Sequence, residues 1–533
     1  MAYPSTTTLR AAVPLPVPGR IIQLATQKRW TPAGVLSTHG TMRRACSVLS
    51  MLALAGCTVG PDYKPRTTAE LGVPAGYSVP AGPTPEDLTR WWQRFDDPVL
   101  GRLVERAAAA NLDLDQATAR LRQAREALVQ NRAQLLPTVN GSAGFSRSET
   151  LRGGGQTITL PDGTIQNVGG GGGSNFSLGL DAQYQLGLFG EVRRTVEASG
   201  AQYQAAGYDY ATTLLTVQQE VARNYVLARL YQAQLANARA SLTLQDDNLE
   251  IAGFRVQAGL VSSVDQEQAR GQRAQTAATV PNIEQQYAAA VARLGVLTAQ
   301  APGALRQSMA VPAPIPNGPA LVGAGIPADI LRRRPDVRAA ERALAAATAQ
   351  IGVAQAALYP NLALTGRVNT NAGVFANLLD TVTGSLFSGL TQAIFNGGRL
   401  RSQVRSQQAA ADLALAQYKG VVLTALEDVE NAVVALNTAR ERERQFAIAL
   451  DAANAAALLS RSQYRSGLTD FTTLSQQEAA LLSARNGAAQ ARGDAATALI
   501  QLYGALGGGW DADAPILAPP GAATRPVSVP DNR

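Results

Sequence analysis

Apolar residues along this chain follow two periods. Between Glu191 and Gln257 they recur at Tyr203, Tyr210, Leu214, Val217, Val221, Ala228, Leu235, Ala238, Leu242, Leu249 and Val256. Every step is 3, 4 or 7, the spacing of a coiled-coil seam. The stretch contains no proline, so the pattern predicts one helix over 191–257, roughly 100 Å long. The second period is 2. From Asn175 to Leu186, Phe176, Leu178, Leu180, Ala182, Tyr184 and Leu186 alternate with Asn175, Ser177, Gly179, Asp181, Gln183 and Gln185. Val139, Gly141, Ala143 and Phe145 oppose Thr138, Asn140, Ser142 and Ser146 in the same way, and Leu362, Leu364, Gly366 and Val368 oppose Asn361, Thr365, Arg367 and Asn369. A fourth strand over about 385–395 alternates poorly.

Both patterns occur twice. Gly190, Val221, Gly259 and Leu294 each have a like residue 208 positions on, at Gly398, Val429, Gly467 and Leu502. Shifting the apolar stripe by the same offset keeps it intact except at Glu443. Pro137 and Pro360 lie 223 apart, so the first copy carries an insertion, located in the Gly-rich stretch 152–173. Each repeat reads as strand, loop, strand, very long helix, tight turn and return helix.

The strands change the picture most. About ten residues of alternating polarity is the signature of a transmembrane β-strand. Known membrane barrels need about eight strands, and lipid tolerates no open sheet edge. Four strands per chain therefore imply a barrel shared between chains, and three chains would supply twelve.

The start of the chain agrees with an envelope address. Met42-Arg43-Arg44 precedes a short apolar run to Ala55, too short to span a bilayer, which ends in Leu54-Ala55-Gly56-Cys57. Residues 42–56 read as a lipoprotein signal and Cys57 as the acylated first mature residue. Residues 1–41 lack leader character and read as an extension ahead of that start. Residues 1–56 carry six basic and no acidic groups, leaving 41 basic against 40 acidic in the remainder. The net +7 thus reports the leader, and a near-neutral chain has no general attraction for nucleic acid. The single histidine, His39, also lies upstream, so His-based acid–base, metal and triad chemistry is excluded from the mature chain. With no carboxylate motif either, an enzyme is not expected, and no cofactor is implied.

Several signals have bland readings. Arg332-Arg333-Arg334-Pro335 is a helix start, with Pro335 in the first turn and the arginines expected to pair with Asp336 and Glu341. The Gly runs 153–155 and 169–173 are a surface loop, since no Gly-Lys-Ser/Thr follows. Trp91 and Trp92 are packing anchors, and Arg440–Arg444 is a solvated helix face.

The motifs CTVGPDYKP (57–65), WWQRFDDPVLGRLVERAAAANLDL (91–114), LFGEVRR (188–194), IFNGGRL (394–400) and YGALGGGW (503–510), and above all the block 326–366, carry a family resemblance. The chain resembles the outer membrane factors of tripartite efflux pumps, in their lipoprotein branch. Gly187, Ala393 and Asn396 depart from the family's usual turn residues. The resemblance implies a mainly α fold with a membrane β-barrel. Two repeats per chain would form, as a homotrimer, a 12-stranded barrel joined to a long periplasmic α-helical barrel. It implies a lipid-anchored duct in the outer membrane that exports drugs or other small toxic compounds. Its partners would be a periplasmic adaptor (membrane fusion protein), an inner-membrane RND-type transporter and outer-membrane lipid.

The organisation expected is an N-terminal segment 57–136 and repeat 1 over 137–300, with strands in 137–187, the long helix 191–257 and the return helix 262–300. A Pro-rich linker 301–327 follows. Repeat 2 covers 328–506, with helix 328–358, strands 360–396, helix 399–466 and helix 470–506, before a tail 507–533. The hairpins turn at Gly259 and Gly467. By resemblance, a gate near these tips draws on Val264, Asp265, Asp470, Phe471, Thr472 and Gln476. Gln476 stands where a carboxylate often sits. The alternatives are the outlet of a type I protein-secretion system and a structural periplasmic coiled coil or adaptor; the paired strands count against the latter.

Overall fold

The computed structural model describes residues 58–78, 87–149, 151, 156–168, 173–319, 322–323 and 325–513. A 3-10 turn at Trp91–Phe95 leads into α1 (Pro98–Ala110) and α2 (Leu112–Ala133). Asp97 and Asn111 cap these helices by accepting from Val99 and Leu100, and from Asp113 and Leu114. Strands β1 (Thr138–Ser148), β2 (Gln156–Thr159), β3 (Ile165–Val168) and β4 (Gly173–Leu186) follow, then α3 (Glu191–Gln257) and α4 (Ser263–Leu297). After the linker come α5 (Pro335–Ala356), β5 (Asn361–Ala372), β6 (Val382–Thr391), α6 (Arg399–Arg465) and α7 (Phe471–Ala505).

The duplication extends to element lengths. α3 and α6 each have 67 residues, and α4 and α7 each have 35. All four bounds are related by the offset of 208, whereas α2 and α5 are related by 223. The extra residues lie in the β1–β4 loop, 149–172, against 373–381 between β5 and β6. This loop is not a plain linker as the Gly runs suggested. It holds the β2–β3 hairpin, closed by a Pro-Asp-Gly turn in which Asp162 accepts from the Thr164 amide.

β1, β4, β5 and β6 form one antiparallel sheet in that order, so the second repeat's strands continue the first's. The fourth strand lies several residues earlier than expected, because pairing with β5 rather than polarity sets it: Asn361 faces Thr391 and Thr370 faces Val382. No helix among the described residues is long and apolar enough to cross a membrane.

The main core lies midway along the long helices. Val217, Val221, Tyr225 and Val226 of α3 meet Val422, Ala425, Val429 and Leu436 of α6 and Leu499, Leu502 and Tyr503 of α7. Trp91 is fully buried and stacks on Tyr503 with centroids 5.5 Å apart. Trp92 is also buried, so both tryptophans are anchors. The linker is pinned across α3, where Arg229 donates to the Val311 carbonyl and Gln232 to that of Met309. Of the arginines at 332–334, Arg334 bonds Asp336 and Asp428, and Arg332 bonds Asp329. The expected partner Glu341 is instead taken by Arg342, the next residue on the same helix, and by the Tyr63 hydroxyl of the N-terminal segment. Burial opposes the charge of Arg334, and its two carboxylates hold it protonated. The 440–444 segment is laddered as well as solvated: Arg442 reaches Asp494 and Glu443 meets Arg492 of α7.

Candidate functional site: sheet wall and hairpin tips

The strand registers fix which side chains share a face. Val139, Phe145, Leu178, Leu180, Leu364, Val368, Leu386 and Leu390 fall on one side. Thr138, Asn140, Ser142, Ser177, Asp181, Gln183, Thr365, Arg367 and Ser385 fall on the other, where Arg367 forms an ion pair with Asp181 directly across from it. The apolar face is uncovered: Leu386 is 85% exposed and Val139 64%. Among the described residues, β1 and β6 are edges with nothing paired to their outer sides. An apolar, two-edged sheet is unstable in water. It becomes a wall when its edges are closed and its apolar face is given to lipid.

The long helices carry the chain away from this sheet to two tips of like construction. At the first, the Leu260 amide bonds the Arg255 carbonyl and the Gly259 amide that of Val256; at the second, Leu468 bonds Gln463 and Gly467 bonds Tyr464. This is a Schellman closure, which needs a left-handed residue after the helix. Gly259 has φ +69 and Gly467 φ +73, and both supply it.

The gate residues expected at the tips do not share one environment. Val264, Thr472 and Gln476 are exposed and Asp265 is half-buried. Asp470 accepts the Thr473 amide as the cap of α7, which holds its carboxyl below the usual carboxylate range. Phe471, expected to narrow a passage, is 3% exposed. It packs edge-on against Tyr464 and beside Leu474, Ala252 and Ala269, because the first turn of α7 faces the other helices. Phe471 is therefore a packing residue of the tip. Cys57 lies outside the described residues.

Two arrangements escaped the sequence reading. Glu478 on α7 is buried, accepts from Asn248 of α3 at 2.7 Å and pairs with Arg461 of α6 at 3.0 Å. It ties three helices together just above the tips. Its signal was available: Phe471, Leu474, Glu478 and Leu481 keep a 3-4-3 spacing, which puts a carboxylate in a core position. Nearby, the Arg255 guanidinium lies 4.8 Å from the Tyr464 ring centre and donates to its carbonyl, joining the two hairpins.

The second arrangement is at the other end of α3. Arg194, nearly buried, donates to the carbonyls of Val59 and Gly60 and to the carboxylates of Asp62 and Glu197. The Val59 amide bonds the Phe189 carbonyl. Gly60 (φ +101) sits so close to α5 that a Cβ there would lie 2.4 Å from the Gly352 Cα. Residues 58–62 are thus clamped where β4 passes into α3. Among the described residues no group of His, Cys, Asp or Glu could hold a metal ion.

The chain matches the family model described as outer membrane efflux protein over residues 103–300 and 326–508. It is 31% identical over 475 residues to nodulation protein T of Rhizobium leguminosarum bv. trifolii, covering 86% of this chain and 96% of that one. It is 33% identical over 427 residues to the pyoverdine export outer membrane protein OpmQ of Pseudomonas aeruginosa, covering 80% and 89%. Among solved structures it is similar to the outer-membrane channel OprN, with a TM-score of 0.75 and 33% identity over 85% of this chain and all of that one.

Proposed function

The chain belongs to the outer membrane efflux protein family and is an outer-membrane efflux channel; from that premise we propose that three copies share one twelve-stranded barrel and one helical duct. The observation that carries this reading is the in-register sheet with one apolar face, one polar face and two unpaired edges. A second supports it. Leu423, Val434, Ile448 and Leu459 of α6 recur at steps of 11, 14 and 11 on one side of the helix, yet all are exposed. A second copy of the chain would cover them. Native mass spectrometry of the detergent-extracted protein should find three chains, and the extract should form pores in planar bilayers. A stable folded monomer would sink the shared barrel.

The role is conduction, with no catalytic step. The cargo is small molecules, in keeping with the pyoverdine export named for one relative. A periplasmic adaptor docks at the hairpin tips, where Leu260 and Leu468 are 69% and 79% exposed, and an inner-membrane transporter delivers the cargo. The N-terminal anchor is a lipid on Cys57. The clamp on residues 58–62 supports this, because it holds the adjoining chain at the strand–helix junction, the level of the periplasmic face of the outer membrane in this reading. Intact mass should give a mature chain beginning at Cys57 plus acyl groups, and Cys57→Ser should remove the acyl mass. An unmodified amino terminus at Met1 would contradict it.

The resting constriction is built near the tips from Val264, Asp265, Thr472 and Gln476, with Asp470 and Phe471 shaping the turn that carries them. Asp265→Ala should raise single-channel conductance without moving the denaturation midpoint. Phe471→Ala should lower that midpoint as well, since it empties part of the tip core. If Asp265→Ala leaves conductance unchanged in a correctly assembled trimer, the narrowing lies elsewhere.

A further inference from the structure

Every described strand residue on the polar face of the sheet is polar or small, with one exception. Phe387 of β6 stands opposite Thr365 of β5, which stands opposite Gln183 of β4, so register assigns its ring to the polar side. It is 66% exposed. The ring lies along the strand over Gly389, where a Cβ would come within 2.8 Å of it. The ring is thus close to the backbone at Gly389 and otherwise largely open. The next row of the wall holds Arg367, paired with Asp181 and facing Ser385. Phe387 and Arg367 are diagonal neighbours, about 7–8 Å apart at the backbone and within reach of each other's side chains.

A phenyl ring open to water on an otherwise hydrophilic wall gains nothing for folding beyond covering Gly389, and a smaller residue would suit that wall better. What it offers is a flat apolar surface with a charged pair beside it. Twelve strands spaced about 4.8 Å apart and tilted about 40° enclose a lumen roughly 24 Å across between backbones. Three such rings in a space of that width would not close it. They would instead hold a flat solute briefly against the wall.

We infer that Phe387, with the adjoining Asp181–Arg367 pair, forms a cargo-contact site in the barrel lumen for planar aromatic solutes. The ring supplies the stacking surface, and the ion pair supplies a donor or an acceptor for a polar edge of the solute. This rests on the reading that the polar face lines a shared barrel.

The test is single-channel recording of the full chain in planar bilayers, with the probe added on the side of the strand loops, away from the tips. Rhodamine 6G serves as a planar aromatic cation and tetrabutylammonium as a cation without an aromatic face. The wild type should show rhodamine blocks of measurable duration. Phe387→Ser and Phe387→Leu should each shorten them by roughly fivefold to tenfold, the loss expected for one aromatic stacking contact. Phe387→Tyr should keep them, and tetrabutylammonium blocks should be alike in all four proteins. Leucine retains bulk and cover over Gly389, so the leucine variant decides the matter if the serine variant fails to assemble. Equal rhodamine dwell times in the wild type and the leucine variant overturn the site while leaving the channel reading intact. Absence of any pore in the wild type overturns both.

Discussion

Replacing Trp91 with alanine should cost about 3–5 kcal/mol of stability, the range for emptying a fully buried large aromatic site. Trp91 has no exposed surface, stacks on Tyr503 and meets Trp92 and Phe95 edge-on, so it joins the N-terminal segment to the return helix of the second repeat. Among the described residues, the Trp91 indole N–H has no hydrogen-bond partner. Trp91→Phe should therefore be far milder, since it keeps the stacking and removes a buried unpaired donor. Denaturation midpoints of the detergent-solubilised protein read the difference. A shift in Trp91→Ala within the roughly 0.5 kcal/mol usual for surface changes would mean that the N-terminal segment is not part of the cooperative unit.

The second large effect is expected at Glu478. Glu478→Ala removes the partner of Arg461 and the acceptor of Asn248 at once. Breaking a buried pair from one side is costly because the other charge stays behind; since Arg461 keeps 21% side-chain exposure, about 2–4 kcal/mol is expected. The loss falls on the contact that holds α7 against α3 and α6. The variant should therefore lower the denaturation midpoint, raise single-channel conductance and admit large antibiotics that the outer membrane normally excludes. Glu478→Leu combined with Arg461→Leu should recover most of the stability, since apolar residues of similar size can replace a buried pair at little cost. Unchanged conductance together with an unchanged midpoint in Glu478→Ala would show that the tie does not hold the hairpins together.

What could be read from the sequence depended on whether a feature is periodic. The long helices announce themselves through stripes such as Val217, Val221 and Ala228, because a helix that packs along its whole length repeats its contacts every turn or two. Three strands were legible because alternation is forced when one face meets lipid and the other water. The fourth alternates poorly because Gly384 and Ser388 dilute the apolar face and Phe387 sits on the polar one. Its position follows from hydrogen bonding to β5, which polarity does not encode. The β2–β3 hairpin hid among glycines although Pro161-Asp162-Gly163 marked its turn. At the tips, motif comparison drew attention to Phe471 and Asp470, but only packing could say that one is buried and the other occupied as a cap. The clamp of Arg194 on residues 58–62 and the pairing of Arg334 with Asp428 join residues more than ninety positions apart. No local pattern marks such partners.

The matched helix lengths of the two repeats have a consequence for how such a protein can change over generations. Because α3 equals α6 and α4 equals α7 residue for residue, the two hairpins of a chain end level. Seven residues inserted into α3 and α4 alone would carry one tip about 10 Å beyond the other, and in the proposed trimer a rim of six would become a rim of three above three. A partner that meets all six at once would lose half its footing. Side chains have been free to diverge between the halves: Arg461 corresponds to Gly253, and Glu443 to Leu235. Length has not, since a change in any of the four helices must be matched in the other three before it can be tolerated. The duplicated halves thus act as rulers for one another, and a drift in sequence with no drift in span is what that mutual measurement leaves behind.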